Sequence, residues 1–405
     1  MFASVYKIYT NSYKDLTRSV WILAFIQLIN RSGSMVLPFM TVYITKSLGF
    51  SIPLAGLIIS FFGAGSLVGS FLGGYLTDKI GPFKVQFFSL VLGGISYLAL
   101  PFITNFYLLA GGFFICALIN DSLRPAASSL ISHFSTPETT TRSFSLLRMA
   151  INLGVAIGPA VAGLLAGINY TWLFVGDGLT CIAAGLVFYF YFRSKQPQTH
   201  KTTNEQAIKA RSPYRSTSYL LFIGLCMLYA LAFFSIFTGI PLYYKDVYHK
   251  SEETIGLLIG FNGLIVFIFE MVIVSQIEKR FAPARLIVFG SLLLGLSFIL
   301  FNLWTGTLLL LVSMALLSFS EIFAMPFMIS HVVNSATPQT RGSFIAGYTI
   351  AWSVAFIISP YGSAWLIENY DFETLWWVMG GLCAITALGF RLQLKQAPAK
   401  IHTET

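Results

Sequence analysis

The sequence predicts an all-α membrane protein, twelve transmembrane helices arranged as two six-helix halves. Three observations carry that prediction. The composition is too apolar for a soluble surface, the apolar residues fall into twelve runs of membrane-crossing length, and the chain repeats itself at an offset near 200. Of 405 residues, 56 % are hydrophobic and only 10 % charged, against about 25 % charged in an ordinary soluble domain. A soluble fold of this size could not cover its surface with so few charges, so most of the chain must face lipid. The formal net charge of +9 does not argue for nucleic acid, because the bases sit at the ends of the apolar runs.

The runs lie at about 20–45, 53–76, 86–104, 107–131, 144–167, 172–192, 218–244, 254–276, 286–303, 306–331, 343–367 and 374–390, called spans 1 to 12 in chain order. Each holds about 17–27 residues, enough to cross roughly 30 Å of hydrocarbon as a helix, some with tilt. With both termini placed in the cytoplasm the bases sort cleanly. Lys7, Lys14 and Arg18 lie in the N-terminal segment before span 1, and Arg391, Lys395 and Lys400 follow span 12. Cytoplasmic loops hold Lys79, Lys84, Arg142, Lys279, Arg280, Arg285 and Arg341, and the central linker holds Arg193, Lys195, Lys201, Lys209, Arg211 and Arg215. Only Lys46, Lys245 and Lys250 fall on the outer side, while Arg31, Arg124 and Arg148 lie inside spans. The positive-inside rule then gives a multi-pass protein of the cell inner (plasma) membrane with both ends cytoplasmic.

Residues 1–18 are polar and the first apolar run is too long for a signal sequence, so no cleaved leader is expected. Cys116, Cys181, Cys226 and Cys383 are scattered singly through spans. They have neither a metal spacing nor a disulfide framework and read as packing residues. No metal, cofactor or catalytic domain is expected, and the chain is not read as an enzyme.

The repeat is visible throughout. Ala55-Gly56-Leu57-Ile58-Ile59-Ser60-Phe61 matches Ile255-Gly256-Leu257-Leu258-Ile259-Gly260-Phe261, and Asp78-Lys79 matches Glu278-Lys279. Pro125 pairs with Pro326, Thr136-Pro137-Glu138 with Thr337-Pro338-Gln339, and Pro159 with Pro360. The expected organisation is therefore an N-terminal half 1–192, a cytoplasmic linker 193–217 and a C-terminal half 218–405. An even helix count per half gives a parallel repeat, the arrangement in which substrate sites lie between halves and one half rocks against the other. That reasoning alone reaches a secondary transporter.

The loop between spans 2 and 3 reads Gly74-Tyr75-Leu76-Thr77-Asp78-Lys79-Ile80-Gly81-Pro82-Phe83-Lys84. It resembles the cytoplasmic Gly-x-Leu-Ala-Asp-Arg-x-Gly-Arg-Arg motif of the major facilitator superfamily, and implies that fold. Gly74 is expected to allow close helix packing. Asp78 can meet a helix N-terminus or a base across the half and form a latch that breaks when the gate opens. Pro82 and Phe83 replace two bases of the motif, which leaves Lys84 as the substitute. Lys79 and Gly81 complete this gating loop. In span 5, Gly154-Val155-Ala156-Ile157-Gly158-Pro159-Ala160-Val161-Ala162-Gly163 resembles a stretch described for drug:proton antiporters. Its small residues permit close approach of a neighbour and Pro159 bends the helix, which generic packing would also explain.

Ionisable groups inside the membrane cost roughly 2.5–3.5 kcal/mol each on insertion scales, so each is a functional candidate. Arg31 lies midway along span 1, Asp121 and Arg124 share one face of span 4, and Glu321 lies midway along span 10. The superfamily resemblance implies that spans 1, 4, 7 and 10 line a central cavity where these four converge. Span 7 offers Tyr229, Phe233, Phe234 and Phe237 as an apolar wall, or as plain core. Glu321 is the first proton-coupling candidate and Asp121 the second, since competition between proton and cationic substrate at one carboxyl couples their fluxes. The alternatives are a permanent salt bridge of Glu321 to Arg31 or Arg124, and mutual neutralisation of Asp121 and Arg124. Arg148 and Glu270 read as gating residues or as side chains reaching the interface. Asp177, near the outer end of span 6, is expected to meet water.

Glu321-Ile322-Phe323-Ala324-Met325-Pro326 is similar to a stretch in bacterial multidrug exporters of the MdtH and LmrP type, and to one in proton-coupled oligopeptide transporters. The peptide family also has Glu-x-x-Glu-Arg in its first helix. Here the aligned residues are Gln27-Leu28-Ile29-Asn30-Arg31, so both carboxylates have become amides and Arg31 stands alone. The resemblance implies a proton-coupled exporter of amphipathic or cationic small molecules, with a symporter of peptides or amine-bearing nutrients as the alternative. Its partners would be a small-molecule substrate, protons and the lipid bilayer, with no nucleic acid, and it is expected to work as a monomer. Arg31, Arg124, Glu321, Asn30, Gln27, Tyr229 and Phe233 are the expected substrate contacts.

Overall fold

Hydrocarbon thickness sets helix length in such a chain, because a backbone in lipid must satisfy its hydrogen bonds within its own segment. The computed structural model describes residues 16–136, 139–195, 216–277, 280–303, 306–336 and 340–395. Most of the expected linker, Lys7, Lys14, Lys279 and Lys400, and parts of two repeat matches lie outside the described residues. Among the described residues all regular structure is helical.

Among the described residues, twelve helices are long and apolar enough to cross a membrane. They are α1 (Arg18–Ser47), α2 (Ile52–Ile80), α3 (Pro82–Phe102), α4 (Phe106–Phe134), α5 (Arg142–Ile168), α6 (Thr171–Phe192), α7 (Thr217–Asp246), α8 (Glu252–Val274), α9 (Pro283–Leu303), α10 (Thr307–Asn334), α11 (Ser343–Asn369) and α12 (Phe372–Leu394). Each predicted span has its helix. Most helices overrun the apolar run by a few polar residues, which continue the helical hydrogen bonding past the hydrocarbon.

Three helices are interrupted. α1 is helical over Arg18–Ser32, breaks at Gly33, and resumes over Val36–Val42 before a π turn, Tyr43–Ser47. α7 runs over Thr217–Phe233, tightens to a 3₁₀ turn at Phe234–Phe237, and resumes at Gly239–Asp246. The two breaks stand at the spacing of the sequence repeat, so the duplication extends to the irregular backbone. α4 is interrupted at Ser122, between Phe106–Asp121 and Leu123–Phe134. Pro125 has no N–H to offer the Asp121 carbonyl four residues earlier, which accounts for the fault.

α2 and α3 are joined through one residue. Gly81 caps α2 by donating its N–H to the Thr77 carbonyl at 3.1 Å, at φ +90°, and Pro82 starts α3. A side chain is disfavoured at that φ, so glycine is required. Gly74 has a different role from the expected one: a Cβ placed there meets open space. The close approach belongs to its neighbour, since a Cβ on Gly73 would lie 2.5 Å from Ser122 Cα in α4.

The described residues pack as two compact units. One comes from Met1–Thr203 with Pro241–Phe267, the other from Asn204–Ile240 with Ile268–Thr405. In the first, α1 packs on α5, α2 on α4 and α3 on α6, around Leu23, Leu90, Leu130 and Phe188. In the second, α9 packs on α10 and α12, and α7 on α11 and α12, with Phe298 stacked on Trp376 at 5.5 Å.

Candidate functional site

In the first unit the polar side chains gather around the break in α1. Arg31 lies in the last turn of the first helical segment, and its Nε is buried without a hydrogen-bond partner. Gly154 makes room for it, since a Cβ there would lie 2.6 Å from Arg31 Cβ; Gly158 faces the Ser34 carbonyl in the same way at 3.1 Å. One turn before Arg31, Gln27 is buried with an unpartnered Oε1. Asn30 points elsewhere and donates its Nδ2 to Cys181 Sγ at 3.2 Å. So Gln27 and Arg31, four residues apart on one helical face, keep unused polar capacity.

Asp121 and Arg124 pair with each other. Arg124 Nε donates to Asp121 Oδ1 at 2.7 Å, with Asp121 only 7 % exposed and Arg124 exposed. The local geometry is therefore the mutual neutralisation weighed as one reading. Asp177 departs from expectation. It is 2 % exposed rather than wet, and accepts the backbone N–H groups of Met35 and Val36 at 3.0 and 2.9 Å. The Met35 N–H is shared with the Gly33 carbonyl at 2.7 Å, whereas Val36, the first residue of the restarted segment, has no acceptor within its own helix.

In the second unit the half-buried Glu321 sits mid-α10 beside a polar anchor. Its neighbour Ser320 shares a 2.7 Å hydrogen bond with the hydroxyl of Tyr229, which is fully buried in α7. Tyr229 is thus pinned to α10 at the residue before Glu321, within electrostatic reach of the carboxyl. Phe233 follows one turn later, and both rings face Trp352 of α11, at centroid distances of 6.2 and 6.4 Å. Phe234 and Tyr348 each approach Trp352 at 5.8 Å. The Trp352 Nε1 is buried without a hydrogen-bond partner. The arrangement offers one carboxyl, a wall of aromatic faces and one free indole N–H. Such a surface suits a cation carrying an apolar body. Sequence reasoning named Tyr229 and Phe233 and missed Tyr348 and Trp352. The signal was present, because Tyr348, Trp352 and Phe356 recur every four residues as an aromatic stripe.

The gating candidates divide. Asp78, Lys79 and Lys84 are exposed, and Lys79 lies 5.5 Å from the Tyr75 ring centroid. Asp78 makes no hydrogen bond or ion pair among the described residues. Arg148 is also exposed. The small residues of α5 meet two neighbours: Gly154 and Gly158 face α1, while Gly163 faces α8, where a Cβ would lie 2.5 Å from the Glu252 carbonyl. Pro159 presents its own carbonyl to Gly256 of α8. Glu270, buried in α8, does not reach out to the interface.

At the Glu252 end of α8 lies a charged cluster that the sequence reading recorded only as bases on the outer side. Lys46 pairs with Asp246 at 2.7 Å and Lys245 with Glu252 at 2.6 Å. Tyr170 donates its hydroxyl to Glu252 Oε1 at 2.8 Å. Burial and the adjacent carboxylate push the Tyr170 phenol above its ordinary range, so it stays a protonated donor. These bonds tie the ends of α1, α6, α7 and α8 together within the first unit.

Comparison with known proteins agrees with this architecture. The Major Facilitator Superfamily model matches residues 20–339 and again 251–404. The Na(+), Li(+), K(+)/H(+) antiporter of Planococcus maritimus is 23 % identical over 389 residues, covering 86 % of this chain and 89 % of the antiporter. Quinolone resistance protein NorA of Staphylococcus aureus (strain MSSA476) is 22 % identical over 278 residues, 68 % of this chain and 71 % of NorA. An auto inhibited POT family peptide transporter superposes with a TM-score of 0.81 over 96 % of this chain and 99 % of that one, at 13 % identity, a likeness of fold. With twelve apolar helices, breaks repeated in α1 and α7, and a family match running from the first span to the last, this chain belongs to the major facilitator superfamily and is a multi-pass membrane transporter, not an enzyme.

Proposed function

We propose that the protein is a proton-coupled antiporter that expels amphipathic, cationic small molecules by alternating access. The observation that carries this reading is the half-buried Glu321 beside the aromatic wall of Tyr229, Phe233 and Trp352. A protonated carboxyl in that setting is neutral and leaves the site to the proton. An arriving cation stabilises the ionised form and displaces the proton. The aromatic faces hold the rest of the substrate through cation–π and apolar contact. Two relatives support the direction: one is named for exchanging monovalent cations against protons, the other for quinolone resistance.

In this reading Arg31 and Gln27 supply polar contacts to the substrate, with Asn30 beside them. Arg124, neutralised by Asp121, gives a weaker contact, and Asp121 is the reserve proton site. The halves 1–192 and 218–405 move against each other about the linker 193–217, both termini face the cytoplasm, and one chain suffices. The bonds among Lys46, Asp246, Lys245, Glu252 and Tyr170 then form an outer gate. The loop Asp78–Lys84, with Arg148, belongs to the cytoplasmic one.

The test is Glu321→Gln in proteoliposomes with and without an imposed pH gradient. The amide keeps the shape of the protonated carboxyl and cannot exchange a proton. The expected result is loss of gradient-driven accumulation while substrate exchange persists. Accumulation at the wild-type level would remove Glu321 as the coupling group. Gradient-driven uptake in the same direction as protons, by the wild type, would replace export with symport of an amine-bearing nutrient.

A further inference from the structure

None of the roles above uses Asp177, the most deeply buried carboxyl in the described part of the first unit. Both of its oxygens are engaged, one by the Met35 N–H at 3.0 Å and one by the Val36 N–H at 2.9 Å. α6 is shaped for this approach. A side chain at Gly33 would run into Thr180, and a Cβ on Gly176 would lie 2.7 Å from Met35 Sδ. Among the described residues no base stands within ion-pair distance of the carboxyl. The titratable groups that face it are Arg31 on α1, Tyr97 on α3, Cys116 on α4 and Cys181 on α6 itself, while α5 brings Leu165 to this spot. A charge in such surroundings is held by its two hydrogen bonds, with the more distant positive charge of Arg31 in support.

We propose that Asp177 is a second proton-binding site of the transport cycle, acting through the break in α1. The proposal rests on the proton-coupled reading given above. In the ionised form each oxygen accepts one N–H, and the carboxylate clamps the start of the segment Val36–Ser47 against α6. A proton arriving from the aqueous phase bonds to one oxygen. That oxygen becomes a hydroxyl donor and its N–H···O bond breaks; Met35 keeps the Gly33 carbonyl at 2.7 Å, so the oxygen whose protonation strips an N–H of its acceptor is the one that holds Val36. The clamp falls from two bonds to one, and the segment that ends in Lys46 is released to pivot at Gly33. Asp177 is therefore a positioning residue. Its charge state sets the place of the α1 break, and through it the places of Arg31 and of the Lys46–Asp246 pair.

The experiment measures substrate exchange without a gradient, across the pH range in which the protein stays folded, in the Glu321→Gln background. With the first proton site gone, exchange is expected to remain pH-dependent. Adding Asp177→Asn should flatten the profile, and Asp177→Glu should restore a pH dependence with a displaced midpoint. A flat profile in Glu321→Gln alone, or an unchanged one after Asp177→Asn, overturns the proposal. A second measurement needs no substitution at Asp177: amide hydrogen exchange at Val36, whose N–H has the carboxylate as its acceptor, in the wild-type protein. Protection, corrected for intrinsic pH dependence, should fall about tenfold as the pH is lowered, the loss expected for one charged hydrogen bond. Constant protection overturns the clamp. Failure of the coupling reading itself shows separately, as uphill accumulation by Glu321→Gln.

Discussion

Arg31 owes its importance to what surrounds it as much as to its charge. Its buried Nε is unpartnered, the nearby Asp121 is already bound to Arg124, and both Asp177 oxygens are occupied by N–H groups. Arg31→Lys keeps the charge and loses the planar fork that grips a carboxylate with two bonds. Substrate affinity should fall about tenfold or more, the worth of one charged hydrogen bond, with little change in thermal stability. Equilibrium binding to detergent-purified protein checks this, and wild-type affinity would make Arg31 a bystander. Charged residues such as this one were legible in the sequence, because a base or acid inside an apolar run needs a reason. Their partners were not. Asp177 read as a wet residue near a helix end, and the groups it holds lie more than a hundred positions away, where no periodicity points.

Among the helices, α5 shows how one small-residue stretch serves two neighbours. Gly154 and Gly158 face α1, while Gly163 faces α8 a further turn along. Gly163→Ala would set a methyl 2.5 Å from the Glu252 carbonyl, and overpacking of this kind costs about 1–3 kcal/mol. Gly167, one turn later on the same helix, has open space where a Cβ would go. Gly163→Ala should therefore lower the detergent unfolding temperature and Gly167→Ala should leave it unchanged; equal effects would refute the packing account. At the other end of the first unit Asp78 is exposed and unbonded among the described residues. Asp78→Asn should leave stability unchanged and slow transport by shifting the balance of gate states by about 1–2 kcal/mol. Full-rate transport by this variant would dismiss the loop as a gate. All twelve spans were legible because hydrocarbon thickness imposes a length that composition displays. The breaks were hidden, since Asn30-Arg31-Ser32-Gly33-Ser34 reads as a polar site inside a span rather than as a break, and Phe234–Phe237 is itself apolar.

At the scale of the whole molecule, the charged cluster at Lys46, Asp246, Lys245 and Glu252 joins the ends of four helices in one compact unit. Packing therefore assigns the start of α8 to the first unit, whereas the internal repeat assigns it to the second half. Sequence similarity reports ancestry and packing reports the conformation at hand, so the two divisions differ where helices trade neighbours. Reversing a charge tests the cluster. Lys46→Asp should set two carboxylates against each other and change the transport rate several-fold, and Lys46→Asp with Asp246→Lys should bring the rate back. The readout is initial flux in proteoliposomes at low ionic strength, where exposed pairs are least screened. No recovery in the double variant would mean that the pair has no part in the cycle.

The single-residue junction at Gly81 has a mechanical consequence. Two helices joined by one residue have two Cα–Cα steps, about 7 Å of chain at full stretch, between their ends, too little to absorb an independent displacement of either. α2 and α3 behave as a cranked lever with no play at the elbow. A rotation that starts where α2 meets α4 must swing α3, and with it α6, which packs along α3. The first unit thus carries a stiff linkage from the α4 contact to the helix that bears Asp177.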